Sequence, residues 1–189
     1  TAVTLYIGGV CGYAISDGSL GLVSEVKNYG GVTIKSGASA TGESNIGGLF
    51  GACRSLALAD SYNKGTVHAE EGAKIANVNM GGIFGLNTYI NGNKKGPTTN
   101  TTNDGEVKFG ASNKDASTAN VTRIGGIVGY GQSTLTNITN NGKITLYGTR
   151  NANGTISKGS GRFREGSYVV AGIAGYKTEG KIEDCQNHG

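Results

Sequence analysis

The sequence predicts an all-β protein, a parallel β-solenoid (β-helix) of about five repeats with about 40 residues each. Two short motifs that alternate along the chain predict this fold. The alternation of apolar and polar residues around the motifs is the third observation, because it is typical of β-strands. Self-similarity at such a period indicates stacked repeats and takes precedence over local secondary-structure signals.

The first motif is a glycine doublet followed by two residues and another glycine, and apolar residues surround these glycines. Its first positions, 8, 47, 81, 125 and 171, are 39, 34, 44 and 46 residues apart. The fifth copy has Ala171 in place of the first glycine. The glycines that we predict to have a structural role in this motif are Gly8, Gly9, Gly47, Gly48, Gly81, Gly82, Gly125, Gly126 and Gly172.

Side-chain parity predicts that the first motif is one strand covered on both faces. One face carries an aliphatic column, and the other face carries two apolar columns that begin at Ile7 and Cys11. A further strand is expected to lead into each doublet, as in Asn120–Ile124. Glycines beside the aliphatic column would let backbone approach closely. The aliphatic column is Val10, Leu49, Ile83, Ile127 and Ile173.

The second motif, Asn-x-Gly-x-aliphatic, follows each doublet, and the chain end cuts off its fifth copy. Its asparagines are Asn28, Asn63, Asn103, Asn140 and Asn187. We expect a structural role at a turn, and the pattern favours a simple Asn-Gly turn over a ladder of stacked amides. A half-buried strand should follow, with Val32, Val67, Val107 and Ile144 facing inward.

The 189 residues are expected to form a single repeat domain that is part of a longer protein. The repeats span approximately 1–39, 40–75, 76–116, 117–164 and an incomplete 165–189. One coil per repeat would give a stack roughly 24 Å tall, and two coils per repeat would double that height. The sequence leaves both arrangements open. Residues 70–76 are the only plausible helical turn, and the sequence predicts neither a membrane-spanning run nor a signal peptide.

The basic residues indicate where binding is expected. The net charge is +4, and much of the surplus lies at Lys94–Lys95 and in the longest insertion, residues 148–167. Inserted loops on a repeat scaffold often carry binding, so loops 148–167 and 87–102 are the expected contact loops. A nucleic-acid partner is not predicted, because no basic stripe is interleaved with aromatic residues. The candidate binding residues are Arg150, Lys158, Arg162 and Arg164.

The search for catalytic or metal-binding chemistry finds no candidate residue. The doublet is not a nucleotide fingerprint, and the adjacent acidic pairs would point to opposite faces of a strand. Glu25 and Asp60 can stack one coil apart, but asparagines fill the rest of that column, so no calcium site, and no cofactor at all, is predicted. Cys11, Cys53 and Cys185 are expected to be free thiols, with Cys11 and Cys53 on opposite faces.

Gly48-Leu49-Phe50-Gly51 and the downstream segment 60–67 resemble the GLUG repeat, which is named for its Gly-Leu-x-Gly core. The resemblance covers nearly the whole chain, with Ala171 and several Ile or Val residues as departures. GLUG-like repeats occur in large secreted or surface proteins, mainly bacterial and including adhesin-like proteins. The resemblance implies an extracellular β-solenoid stalk or binding module, and it supplies no catalytic residues.

These observations favour a non-enzymatic module at the cell surface that acts as an adhesin, a stalk or an assembly subunit displaying binding loops. Its expected partners are other domains or copies of a surface assembly, or a host or environmental glycan or protein. One alternative is a glycan lyase or hydrolase on a β-helix. Another is a carbohydrate-binding module that uses Tyr13, Tyr130 or Tyr176, although these tyrosines are more simply interpreted as caps of the core.

Overall fold

The computed structural model describes residues 2–16, 19–89, 96–111, 121–147 and 168–189, with the backbone alone at Tyr168. This part of the chain is all-β and contains no helix. In chain order, its strands are β1 Leu5–Gly8, β2 Cys11–Ile15, β3 Gly21–Ser24, β4 Lys27–Asn28, β5 Val32–Ile34, β6 Ser39–Gly47, β7 Phe50–Arg54, β8 Leu56–Ala59, β9 Tyr62–Asn63, β10 Val67–Ala69, β11 Lys74–Gly81, β12 Phe84–Thr88, β13 Thr98–Asn103, β14 Val107–Phe109, β15 Thr122–Gly125, β16 Val128–Gly131, β17 Leu135–Asn140, β18 Ile144–Leu146, β19 Tyr168–Ala171, β20 Ala174–Lys177, β21 Ile182–Glu183 and β22 Gln186–Asn187.

The strands form four parallel sheets, and successive repeats are neighbours in each sheet. Sheet A has the order β1-β6-β11-β15-β19, and sheet B has the order β2-β7-β12-β16-β20. Sheet C contains β21-β17-β13-β8-β3 together with β4, β9 and β22, and sheet D is β18-β14-β10-β5. Equivalent residues pair directly, so that Ile46 lies between Ile7 and Met80. Each repeat therefore forms one layer of the stack.

The glycine doublet is a corner between two strands, and the prediction that the motif is one continuous strand was wrong. In the second repeat β6 ends at Gly47, Gly48 and Leu49 form a bend, and β7 begins at Phe50. The corner stacks between layers as the strands do, because Leu49 N–H donates to Ile83 O at 3.1 Å. The doublet therefore folds sheet B back against sheet A.

The corner divides the apolar residues between two clusters. Ile46, Met80 and Ile124 of sheet A pack against the sheet D residues Val67 and Val107. The second cluster joins the corner to sheets B and C, and its fully buried members include Leu49, Ile83, Ile127, Phe84, Leu135 and Ile138. The columns that begin at Ile7 and Cys11, predicted to share one face, consequently belong to different clusters. The predicted inward column of sheet D is confirmed, with Val32, Val67 and Val107 buried.

The asparagines of the second motif form a ladder of amides through the stack, although the sequence favoured a simple turn. Asn63 Nδ2 donates to Asn103 Oδ1 at 2.8 Å and to Gly65 O in its own turn at 2.8 Å. Asn63 Oδ1 accepts from Asn28 Nδ2 at 2.8 Å and from Gly65 N–H at 3.2 Å. The Asn63 amide thus makes all four of the hydrogen bonds available to it, so the same side chain forms both the local turn and the ladder. The same bond continues from Asn103 to Asn140 and from Asn140 to Asn187.

The left-handed backbone of each repeat lies three residues before the asparagine. Glu25, Asp60, Asn100, Asn137 and Asp184 all have positive φ, between 48° and 56°. Asparagine and aspartate tolerate this conformation better than most residues.

The predicted helical turn at residues 70–76 was wrong. Gly72 has a φ of +87°, Ala73 N–H donates to Glu70 O, and β11 begins at Lys74.

A tyrosine–carboxylate contact joins neighbouring layers on the outer surface. Tyr62 Oη donates to Asp104 Oδ2 at 2.5 Å, and Asn141 Nδ2 donates to Asp104 Oδ1 at 2.8 Å. These bonds, the one from Tyr62 first, hold the pKa of Asp104 below its usual value. The bond to Asp104, with smaller effects of burial and charge, raises the pKa of Tyr62 to about 12.

These two pKa shifts predict that the stability of the fold decreases at both low and high pH. Asp104 stabilises the fold above its unfolded pKa of 3.8, and this contribution is lost as the pH falls through its lower folded value. Tyr62 stabilises the fold at pH values below its unfolded pKa of 10.0, and this contribution is lost as the pH rises through its folded pKa of about 12. Tyrosinate absorbance should show late titration of Tyr62 in the wild type, and Asp104→Asn should return its pKa toward 10.0. An unchanged titration curve in Asp104→Asn would contradict the contact.

Candidate functional site: a groove between sheets A and B

The basic residues predicted to bind a partner lie outside the residues that the structure describes, as does the whole of loop 148–167. They are Arg150, Lys158, Arg162 and Arg164. Of the predicted loop 87–102, residues 87–89 and 96–102 are described. Thr98–Asn103 form β13, so this half of the segment is sheet and not a contact loop. Asn87 is buried and accepts from Ser133 Oγ at 3.0 Å, which is a packing role.

A groove of about 250 Å³ opens where sheets A and B face each other. Sheet A contributes polar residues, and sheet B contributes an aliphatic and an aromatic side chain. A concave surface with a few converging polar groups is a candidate small-ligand site, and this groove is slightly smaller than the usual range of about 300–1,000 Å³. Its lining residues are Glu43, Asn77, Asn79, Leu86, Val121, Arg123 and Tyr130.

The glycines of the first motif create the groove. A Cβ at Gly85 would lie 2.3 Å from Ile46 N, and one at Gly129 would lie 2.3 Å from Met80 N, so the two sheets touch through backbone there. Real Cβ atoms do not approach that closely, so only glycine fits. The next residues on sheet B, Leu86 and Tyr130, are large and hold the sheets apart. The close contact is therefore the floor of the groove, and the large residues form its wall.

A β-bulge on β11 places a polar residue at the groove. The register of β11 against β6 shifts on both sides of Ala76, so that Ala76 pairs with Glu43 and Val78 with Ser44. Asn77 between them has no partner in β6, and its φ is +44°. Its Oδ1 accepts from Val121 N–H at 3.4 Å. Bulges often redirect a side chain beside a functional site, and this one does so at the groove.

A chain of hydrogen bonds fixes the polar wall. Asn79 Nδ2 donates to Glu43 Oε1 at 2.9 Å and to Asn45 Oδ1 at 2.9 Å. Arg123 Nη1 donates to Asn79 Oδ1 at 3.1 Å. Asn79 is buried, whereas Glu43 and Arg123 are half-buried. The network therefore holds a carboxylate and a guanidinium in fixed positions at the solvent boundary.

Asn45 adds a second polar feature next to this network. Its side chain is fully buried, and its Nδ2 has no hydrogen-bond partner among the described residues. Asn45 Oδ1 is already held by Asn79. A buried donor without a partner is uncommon in folded proteins and normally has a water or ligand nearby. Asn45 does not itself line the groove, so this donor lies behind the polar wall.

The three tyrosines that the sequence offered for carbohydrate binding lie in one column of sheet B together with Leu86, and Tyr130 of this column lines the groove. The Arg123 guanidinium lies 5.2 Å from the ring centre of Tyr130 and 5.1 Å from that of Tyr176, within cation–π range. In the first repeat, the ring centres of Tyr13 and Tyr6 are 4.9 Å apart. The tyrosines are partly exposed and do not cap the apolar clusters, which contradicts the simpler interpretation.

Sequence reasoning missed Glu43, Asn79 and Arg123. A signal for two of them was present, because the position before the apolar residue of each doublet reads Tyr6, Asn45, Asn79, Arg123 and Val169. Three of the five residues in that column are strongly polar, Asn45, Asn79 and Arg123, whereas the column that follows it is apolar in every repeat. This polar column becomes a candidate for binding only because it lies opposite the sheet B column that contains Tyr13. That arrangement depends on the corner at the glycine doublet.

The three cysteines are free, and all three lie at the second apolar cluster. Cys53 is buried in the second cluster, and Cys11 and Cys185 pack against that cluster, so the predicted opposite faces were wrong. The Cβ position of Gly12 and the ring of Tyr13 both face sheet A. Two successive residues thus share a face, so the alternation of faces beyond them is shifted by one residue. Burial, with a smaller effect of Cys11, raises the pKa of Cys53 to about 12 and makes this thiol unreactive.

No group of three or more metal-ligating residues occurs within the described ranges. Those ranges also contain no helix that is long and apolar enough to cross a membrane. Comparison of the chain with protein-family models, with curated proteins and with solved structures gave no match in any of the three.

Proposed function

We propose that the chain is a segment of a parallel β-solenoid in which each repeat is one coil. The pairing of every repeat with the next in sheets A, B and C supports this proposal. The continuous asparagine ladder supports it as well, because one asparagine per repeat lies directly above its equivalent. A solenoid needs only a thin core shared between neighbours, which suits an apolar content of 36%.

This solenoid acts as a non-enzymatic binding module of an extracellular or cell-surface assembly, and its groove binds a saccharide. The observation that carries the proposal is the groove itself, in which Glu43, Asn79 and Arg123 are fixed opposite Leu86 and Tyr130. The likeness of the repeats to GLUG repeats supports the location and the adhesin-like role. Loop 148–167, with its four basic residues, remains a predicted second contact surface.

The chemistry of the groove suits a neutral, hydroxyl-rich ligand. A sugar ring offers hydroxyl groups that both donate and accept, and it also offers an apolar face. Glu43 accepts, Arg123 donates, and Leu86 and Tyr130 supply an apolar surface. A strongly anionic ligand would face the Glu43 carboxylate, and a strongly cationic one would face Arg123. A neutral saccharide avoids both conflicts.

Hydrolysis of a glycan is the less favoured activity. It needs two carboxyl groups that flank one glycosidic bond. Among the described residues that line the groove, Glu43 is the only acid. The alternative of a lyase or hydrolase is therefore kept as an outcome of the binding experiment. Release of reducing sugar or of an unsaturated product from any bound glycan would overturn the non-enzymatic proposal.

A glycan array followed by calorimetry on the best neutral oligosaccharide tests the site. Glu43→Gln should weaken binding by about ten-fold or more, because hydrogen bonds to charged groups are worth about 1.5–3 kcal/mol. Glu71→Gln is the matched control, since Glu71 is an exposed carboxylate outside the groove. Its affinity should equal that of the wild type. Equal affinities for wild type and Glu43→Gln would place the binding surface elsewhere, with loop 148–167 as the next region to test.

A further inference from the structure

The groove is centred on the third repeat and does not run the length of the stack. Two of its lining residues, Asn79 of β11 and Leu86 of β12, belong to that repeat and are buried. Glu43 of the second repeat and Arg123 of the fourth lie to either side along the stack. Neighbouring layers are about 4.8 Å apart, so these three repeats span roughly 10 Å. How far a ligand extends along the stack depends on what lies beyond them.

Toward the first repeat, the space between sheets A and B is filled by the protein itself. Asn45 and Ala52 occupy the same two columns one layer earlier, and both are 0% exposed. One layer further, Tyr6 of sheet A and Tyr13 of sheet B meet between the sheets, with their ring centres 4.9 Å apart. None of these four residues lines the groove. The groove is therefore closed in this direction.

Toward the fifth repeat, Arg123 forms a bridge between the two sheets. It extends from β15 of sheet A, and its guanidinium contacts the rings of Tyr130 and Tyr176 in sheet B at 5.2 Å and 5.1 Å from their centres. Its Nη1 also donates to Asn79 Oδ1 at 3.1 Å, so residues of both sheets hold the side chain in place. Among the described residues, the groove is thus bounded in both directions along the stack and open at its mouth.

We propose that the groove binds the terminal ring of a neutral glycan and excludes rings inside a chain. This inference rests on the proposed binding of a saccharide at the same site. A terminal ring is linked to its chain on one side, so it enters through the mouth while the chain stays outside. A ring inside a chain carries a neighbour on both sides. In this groove one neighbour would meet the filled second repeat, and the other would meet the Arg123 bridge.

The size and the polar groups of the groove also suit a chain end. Its volume of about 250 Å³ is small for a ligand of several rings. A terminal ring keeps a hydroxyl that an internal ring has lost to the glycosidic bond. Glu43 Oε1 accepts from Asn79 Nδ2 at 2.9 Å, and Oε2 has no hydrogen bond among the described residues. Glu43 Oε2 is therefore available to accept a hydrogen bond from that hydroxyl.

An array of neutral glycans in which each sugar occurs both as a chain end and inside a chain tests the proposal. The bound glycans should share their terminal sugar, whatever chain follows it. In calorimetry, capping that terminal ring with a different sugar should weaken binding by about ten-fold or more, equivalent to about 1.4 kcal/mol. Lengthening the chain at its other end should leave the affinity unchanged.

The array separates failure of this inference from failure of the proposed function. Glycans that share an internal sequence, or an affinity that rises with chain length, would overturn recognition of the chain end and leave saccharide binding intact. The absence of binding to every glycan would overturn saccharide binding itself, and the inference with it.

Arg123→Ala and Glu43→Gln distinguish the boundary of the groove from its affinity. Both variants lose a group that contacts the sugar, so both should bind the uncapped glycan more weakly than the wild type does. Only Arg123→Ala also removes the bridge to Tyr130 and Tyr176, so its preference for the uncapped over the capped glycan should fall to about three-fold or less. Glu43→Gln should keep the wild-type preference. An unchanged preference in Arg123→Ala would overturn the role of this bridge as the boundary.

Discussion

Gly65→Ala is expected to unfold the protein or to lower its free energy of unfolding by about 4 kcal/mol or more, whereas Gly30→Ala leaves the single chain unchanged. The added Cβ of the first variant would lie 1.8 Å from Gly30 O, and 3.0 Å is the closest approach that real Cβ atoms make. The obstacle is backbone of the neighbouring layer, so no side-chain rotation relieves it. Natural domains have only about 5–15 kcal/mol of stability, so this loss is a large fraction.

Urea unfolding of both variants measures the difference, because a Cβ on Gly30 would meet only Asn28 Oδ1, at 3.7 Å. The two substitutions are chemically identical and occupy equivalent positions of neighbouring repeats. They differ only in whether a layer lies beneath them. Equal midpoints for Gly65→Ala and Gly30→Ala would mean that the first two repeats do not stack as described.

Asn103→Leu is expected to lower the free energy of unfolding by about 3 kcal/mol or more, because each buried polar group left without a partner costs about 1–3 kcal/mol. Asn103 is fully buried and bonds to Asn63, Gly105 and Asn140. Leucine is similar in size but can replace none of these bonds. The ladder is broken at its centre, and the amides above and below lose a partner.

Asn187→Leu is the control for this prediction. Asn187 occupies the same column at the exposed end and bonds to one asparagine, so the loss should be about 1 kcal/mol. Thermal and urea unfolding of both variants measure the two losses. Similar losses at the two positions would show that the ladder does not stabilise the interior, and that each asparagine serves only its local turn.

Much of the fold could be predicted because stacking repeats a local environment. The columns Ile7, Ile46, Met80 and Val32, Val67, Val107 are visible in the sequence since the same pocket recurs in every layer. Parallel pairing of equivalent strands follows from those columns. The asparagine column was visible too, but the choice between turn and ladder was not, because it depends on whether the amide of the next repeat lies within hydrogen-bonding distance.

The groove was predictable only in its parts. Tyr13, Tyr130 and Tyr176 were visible as a column of aromatic residues, but Glu43, Asn79 and Arg123 were not selected. The two sets lie in different strands, and their facing depends on the corner at Gly48–Leu49 and on the bulge at Asn77. Neither feature has a local sequence signal that distinguishes a corner from a continuous strand. The prediction that Cys11 and Cys53 lie on opposite faces failed for a related reason, since two successive residues of β2 face sheet A.

The sequence by itself determined the repeat, the all-β class and the residues that lie above one another, because a stack imposes the same side-chain requirement on every layer. The tertiary structure alone decided how the strands of one layer face each other. That arrangement depends on the angle of a glycine corner and on close backbone contact, which residue identity permits but does not specify. The groove and the two separate clusters both follow from this second level.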